Sequence, residues 1–215
     1  MTIKAVFWDF GGVITTSPFD SFNKFELENK LPTGFIRSIN ATNPKNNAWA
    51  KLEKSEISLE EFNKLFFKES SDQGYGIHGT DVINLLKGEI RPEMVIALKN
   101  IKGKLIQACL TNNIKSLNKE KIKNNKSIVG SITDEIFQLF DFVIESSKIN
   151  VRKPEPNFYL LACKKANVLP NEAIFLDDLG INLKPARELG MNTIKVIKSM
   201  DALKELQTFL SFPVL

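Results

Sequence analysis

Five side chains that could do chemistry stand where apolar runs end, and a sixth follows a polar stretch. "IKAVFWD" (3–9) stops at Asp9, "KLIQACLTN" (104–112) at Thr111 and Asn112, and "EAIFLDD" (172–178) at the paired Asp177 and Asp178. The segment "KINVRKPEP" (148–156) adds Lys153, immediately before Pro154. Three acids gathered in one place repel one another unless positive charge compensates them, and Lys153 together with a hard divalent cation would do so. Singly, each residue has a plainer use: Asp9 as the cap of a following turn, Thr111 and Asn112 as local hydrogen bonders, Asp177 and Asp178 as turn and helix cap, Lys153 as a solvated lysine.

What would bring them together is a parallel sheet. The runs at 3–9, 104–112, 140–146, 172–178 and 192–197 are strand-length and apolar on successive residues, as in strands covered on both faces. Between the later runs the pattern is helical, at 93–103, 155–168 and 182–190. Alternation of this kind predicts an α/β fold, a Rossmann-like parallel sheet with helices on both faces, in which ligands bind beyond the carboxyl ends of the strands. Residues 16–90 break the rhythm. "PFDSFNKFELENK", "AWAKLEKSEISLEEFNKLFFKES" and "GTDVINLLKGEI" are helical in pattern, with Ser58 and Glu61 spaced as a capping box. The expected organisation is a core of residues 1–15 and 91–215, with a small all-helical cap at 16–90 inserted after the first strand.

Composition excludes several classes. With 43% apolar and 25% charged residues, the 215-residue chain has the composition of a globular protein. No apolar run reaches the roughly 18–20 residues that span a bilayer, and no leader is recognisable, so the expectation is a cytoplasmic protein with no membrane partner. Cys109 and Cys163 lie in apolar segments and read as reduced core residues, while a single histidine, His78, rules out a site built from several imidazoles. The net charge of +4 is densest at 113–127, where no aromatic residue is interleaved; that reads as a solvated helix face, and no nucleic-acid partner is expected. Nothing in the sequence fixes the oligomeric state.

The ordered set Asp9, Thr111-Asn112, Lys153-Pro154, Asp177-Asp178 resembles the haloacid dehalogenase-like (HAD) hydrolases, most of which are phosphatases. "VRKPEPNFY" and "IFLDDLGINLKPARELGMNTIKV" are especially similar to the phosphatase-type N-terminal domain of bifunctional soluble epoxide hydrolases and related acyl-CoA dehydrogenase fusion proteins. The chain is expected to correspond to that domain alone, without an epoxide-hydrolase domain. The resemblance implies an Mg²⁺-dependent phosphohydrolase of small phosphorylated metabolites. Asp9 would be the nucleophile that becomes an aspartyl-phosphate. Mg²⁺ would be held by Asp9, the backbone carbonyl of Gly11 and Asp178, with Asp177 acting through water. Thr111 and the Asn112 backbone would bind phosphoryl oxygens, and Lys153 would bridge Asp9 and the phosphate.

Gly11 departs from the family pattern, which usually has a second Asp there to protonate the leaving group. Glycine keeps the carbonyl and loses an acid typically worth about 10² to 10⁴ in rate. Asp20, Glu26, His78 and Asp81 of the helical segment are the candidate substitutes. Two alternatives stay open beside the phosphatase: a non-catalytic module binding metal or a phosphorylated ligand, and a metal-independent dehalogenase.

Overall fold

The computed structural model describes residues 2–114 and 134–215. Most of the basic run at 113–127, from residue 115 onward, lies outside the described residues. Strands β1 (Ala5–Trp8), β2 (Ile106–Thr111), β3 (Phe142–Glu145), β4 (Ala173–Asp177) and β5 (Asn192–Lys195) form one parallel sheet in the order β3-β2-β1-β4-β5. β1 is central, pairing Trp8 with Cys109 on one side and with Leu176 on the other.

Side chains alternate across the sheet, so each strand feeds two cores. Val6 and Trp8 pack with Met94, Leu98 and Ile101 of α6 (Pro92–Ile101) and with Leu203 and Leu206 of the C-terminal helix α10 (Ser199–Phe209). Ala5 and Phe7 pack on the other face, against Phe158, Tyr159 and Ala162 of α8 (Pro156–Ala166) and Leu183 and Ala186 of α9 (Gly180–Glu188). Because both faces are covered, β1 is buried at every position, which is why its sequence is apolar without alternation. The short helix α7 (Ser146–Ile149) follows β3 directly, and both α6 and α8 begin with proline at the first helical position, where the missing N–H costs nothing. Cys109 and Cys163 are buried free thiols in different cores, as expected of reduced interior residues.

Between β1 and α6 the chain forms α1 (Phe19–Glu28), α2 (Phe35–Ala41), α3 (Ala48–Glu53), α4 (Leu59–Ser71) and α5 (Gly79–Asn84). They have their own apolar cluster, with Phe22, Ile36, Ile39, Leu52, Phe62, Phe66 and Val82, joined by Ile114 from beyond β2. The capping box at Ser58 and Glu61 is formed as the sequence implies. The stretch at 48–70 is two helices: the chain turns after Glu53, with Ser55 at φ 59°, and the second helix starts at the Ser58 cap. Helix α2 follows Gly34 (φ 79°), and its first turn is capped from a distance by Glu26, whose carboxylate accepts the Gly34 and Ile36 N–H groups at 2.6 and 2.9 Å.

The chain enters and leaves this helical segment side by side. Thr15 and Ile90 form an antiparallel bridge, flanked by hydrogen bonds from Thr16 N–H to Glu89 O (2.8 Å) and from Arg91 N–H to Ile14 O (2.9 Å). On these observations we propose the division into a sheet-bearing unit (1–15 and 91–215) and an inserted helical cap (16–90).

Candidate active site

The carboxyl ends of the strands bring the acids and the lysine together. Asp9 continues β1, its N–H bonded to Leu176 O (2.8 Å), and its Oδ1 accepts the Phe10 N–H at 2.7 Å. Lys153 Nζ lies 2.8 Å from Asp9 Oδ1 and 2.7 Å from Asp177 Oδ2, with the Lys153 side chain 1% exposed. Asp177 is wholly buried and fully engaged. Besides Lys153, it accepts Asn182 Nδ2 at 3.0 Å on both oxygens and the Leu179 N–H at 2.8 Å. Asn112 fixes the backbone of Lys153 from both sides: its Oδ1 accepts the Lys153 N–H and its Nδ2 donates to Lys153 O, each at 3.0 Å. Asp178 is half-buried and accepts Ser17 Oγ at 3.3 Å. Oxygens of Asp9, Asp177 and Asp178 all lie within 4.8 Å of one another.

Three carboxylates facing one ammonium leave two negative charges uncompensated in a poorly solvated pocket. Burial pushes the Asp9 carboxyl well above the usual carboxylate range; Lys153 opposes that and Asp177 adds to it. Burial, with Asp177 beside it, pushes Asp178 up to about 6. Burial works against the Lys153 ammonium, but Asp177 and Asp9 outweigh it and hold Lys153 charged.

A divalent cation fits this donor set. Asp9 Oδ2 carries no hydrogen bond among the described residues, and Asp178 Oδ2 accepts only a long hydrogen bond from another side chain, that of Ser17. Gly12, at φ 78°, runs so close to Asp178 that a Cβ there would lie 2.2 Å from Oδ2, so the cradle around that carboxylate requires glycine. Asp177, with both oxygens taken, suits an outer position, and its direct work is to hold Lys153. Gly11 is exposed, in ordinary extended geometry, and a Cβ there would meet no atom within 4 Å. Thr111 closes β2, half-buried, with its hydroxyl in no hydrogen bond among the described residues.

Asp9, Thr111, Asn112, Lys153, Asp177 and Asp178 therefore share one rim, as the sequence implied. Among the described residues none of the candidate substitute acids makes a hydrogen bond or ion pair with it. Glu26 is spent capping α2, His78 is exposed and stacked on Phe67 with ring centroids 4.8 Å apart, and Asp20 and Asp81 are exposed helix residues. Four residues escaped sequence reasoning. Asn182, five positions after Asp177 in the first turns of the next helix, was legible in principle from that spacing. Gly12, Ser17 and Glu53 had no local signal; Glu53 is the acid the helical segment brings to the rim, 3.3 Å from Asn112 Nδ2.

A family model described as haloacid dehalogenase-like hydrolase matches residues 3–190. Acyl-CoA dehydrogenase family member 10 of Mus musculus is 34% identical over 217 residues, covering 98% of this chain and 19% of that protein. Bifunctional epoxide hydrolase 2 of Mus musculus is 29% identical over 96% of this chain and 39% of its own length. The chain thus spans less than half the length of these relatives. Glyceraldehyde 3-phosphate phosphatase of Methanocaldococcus jannaschii is 28% identical over 66% of this chain and 70% of its own. Matched along most of its length and carrying its acids and lysine on the carboxyl rim of a parallel α/β sheet, the chain belongs to the haloacid dehalogenase-like hydrolases.

Proposed function

We propose that the chain is an Mg²⁺-dependent phosphohydrolase of small phosphorylated metabolites that works by phosphoryl transfer to Asp9. The observation that carries this reading is the placement of Lys153 Nζ, 2.8 Å from Asp9 and anchored 2.7 Å from Asp177 at the open end of the sheet. A carboxylate attacks an anionic phosphate only where positive charge offsets the repulsion. Lys153 supplies one such charge. Mg²⁺, held by Asp9, the Gly11 carbonyl and Asp178 with Asp177 acting through water, would supply further positive charge to the phosphoryl oxygens. Thr111 and the Asn112 backbone would receive those oxygens beside Lys153. In this scheme Asp9 forms the new bond to phosphorus while the substrate's bridging oxygen departs. Position 11 has no acid, so that oxygen takes its proton from solvent or leaves as the anion. Water then hydrolyses the aspartyl-phosphate and regenerates Asp9. The name of the archaeal relative is in keeping with a small phosphorylated substrate. No helix among the described residues is long and apolar enough to cross a membrane.

The test is phosphate release from a panel of phosphorylated metabolites, with Mg²⁺ and with chelator, on the parent and on Asp9→Asn. The expected result is metal-dependent release that the substitution abolishes. Release by Asp9→Asn within about tenfold of the parent would make Asp9 a capping residue, since losing a nucleophile costs far more. Metal-independent halide release would favour the dehalogenase, and no turnover at all the binding module.

A further inference from the structure

Glu53 is the last residue of α3, and its buried carboxylate faces the sheet-bearing unit. Trp49 Nε1, one turn earlier, donates to Oε1 at 2.9 Å and aims the group. Oε2 lies 2.7 Å from the Arg152 guanidinium and 3.3 Å from Asn112 Nδ2. Both partners adjoin Lys153: Arg152 precedes it in the chain, and Asn112 brackets its backbone.

Further polar contacts surround this point, each joining the helical unit to segments that follow β3. Ser146 Oγ donates to Glu53 O (2.8 Å), Ser55 Oγ to Ser147 O (3.1 Å) and Arg152 Nη1 to Pro44 O (3.2 Å), and Lys54 pairs with Glu155 at 3.2 Å. The two acids differ in setting: Glu155 is substantially exposed, whereas the Glu53 and Arg152 side chains are only 10% and 15% exposed.

We propose that Glu53 is a positioning residue: held by Arg152 and Asn112, it latches the helical unit onto the loop that presents Lys153, and Lys153 is correctly placed only while the latch is closed. The proposal rests on the phosphohydrolase reading. It assigns the helical unit a part in aligning the site as well as covering it.

The test uses Glu53→Gln, Arg152→Gln and the double variant of the whole chain, with two readouts. Kinetics on an aryl phosphate are measured well below the unfolding temperature, and amide hydrogen exchange is followed at 44–55 and 146–155 without substrate. Either single change should lower kcat by about 10²-fold, the usual cost of misplacing a catalytic group by an ångström. Mg²⁺ affinity, read by thermal shift, should stay put because Asp9 and Asp178 are untouched. Exchange in both segments should accelerate, and the double variant should be no worse than the worse single one, because the two residues act as a unit. A merely structural residue would lower the unfolding temperature and leave kcat alone. Changes in kcat within about twofold, or losses that multiply in the double variant, would overturn the proposal. If the parent releases no phosphate, the phosphohydrolase reading fails separately; unchanged exchange in Glu53→Gln would then refute the latch without reference to any activity.

Discussion

Installing an acid at position 11 tests the scheme most directly. The backbone there has φ −70° and ψ 131°, open to any L-residue, and an added Cβ meets nothing within 4 Å. Gly11→Asp should therefore fold as the parent does. The new carboxyl would stand beside the rim, where a protonated acid can hand its proton to the departing oxygen. General acids typically give about 10² to 10⁴ in rate, or roughly 3–5 kcal/mol of barrier at 1.36 kcal/mol per tenfold. Alkoxides, poor leaving groups, should collect most of that gain; phenoxides, which depart without help, almost none. The assay is kcat/KM across a series of alkyl and aryl phosphates, plotted against leaving-group pKa for the parent, Gly11→Asp and the isosteric control Gly11→Asn. A steep line for the parent, a shallow one for the Asp variant and a steep one for the Asn variant are expected. If the parent line is already shallow, an acid operates from elsewhere in the site and the reasoning fails; equal gains in the Asp and Asn variants would refute it too.

Gly12→Ala, one residue further, should behave oppositely: it forces a Cβ to 2.2 Å from Asp178 Oδ2 in a left-handed backbone, and Mg²⁺ affinity by calorimetry should collapse, whereas unchanged affinity would remove Gly12 from the cradle. Lys153→Met strips the ammonium from between two buried carboxylates, so urea denaturation in chelator should show a loss of about 3–5 kcal/mol; a loss below about 1 kcal/mol would mean that the pair is solvated after all. The Asp178 carboxyl is raised from 3.8 to about 6, so the folded chain holds that proton more tightly than the unfolded one, and the stability this adds is fully present below about 4 and lost as pH rises through about 6. Mg²⁺ competes with the same proton, and the gap in unfolding temperature between Mg²⁺ and chelator should therefore widen as pH rises through about 6; a constant gap would exclude Asp178 as a ligand.

The sheet was legible because its strands are covered on both faces, so unbroken apolar runs such as "AVFW" mark them, and because the first, second and fourth runs stop at polar residues that reach the rim. Asp9 and Asp177 could thus be assigned to one place from the sequence, and Lys153 from its position just after the third run. The helical unit was harder to read. Helix α2 lacks a side-chain cap at its own Gly34, and the group that serves it, Glu26, sits eight residues upstream. Glu53 could not be found from sequence at all. Its neighbours Asn112 and Arg152 are 59 and 99 positions away, and only the packing of one unit on the other brings them within reach.

The adjacent bridge at Thr15 and Ile90 also bears on how the chain folds. Trp8 must find Cys109, about a hundred residues downstream, before the centre of the sheet exists. Closing so long a loop is entropically slow, and strand pairings of this separation are the usual brake on parallel sheets. A helical segment that gathered first around Phe62 and Phe66, with its two ends together at the bridge, would shorten that search to roughly a quarter of its length. On the logarithmic scale of loop closure this would be worth about 1 kcal/mol. The insertion that interrupts the sheet in sequence would then hasten its assembly.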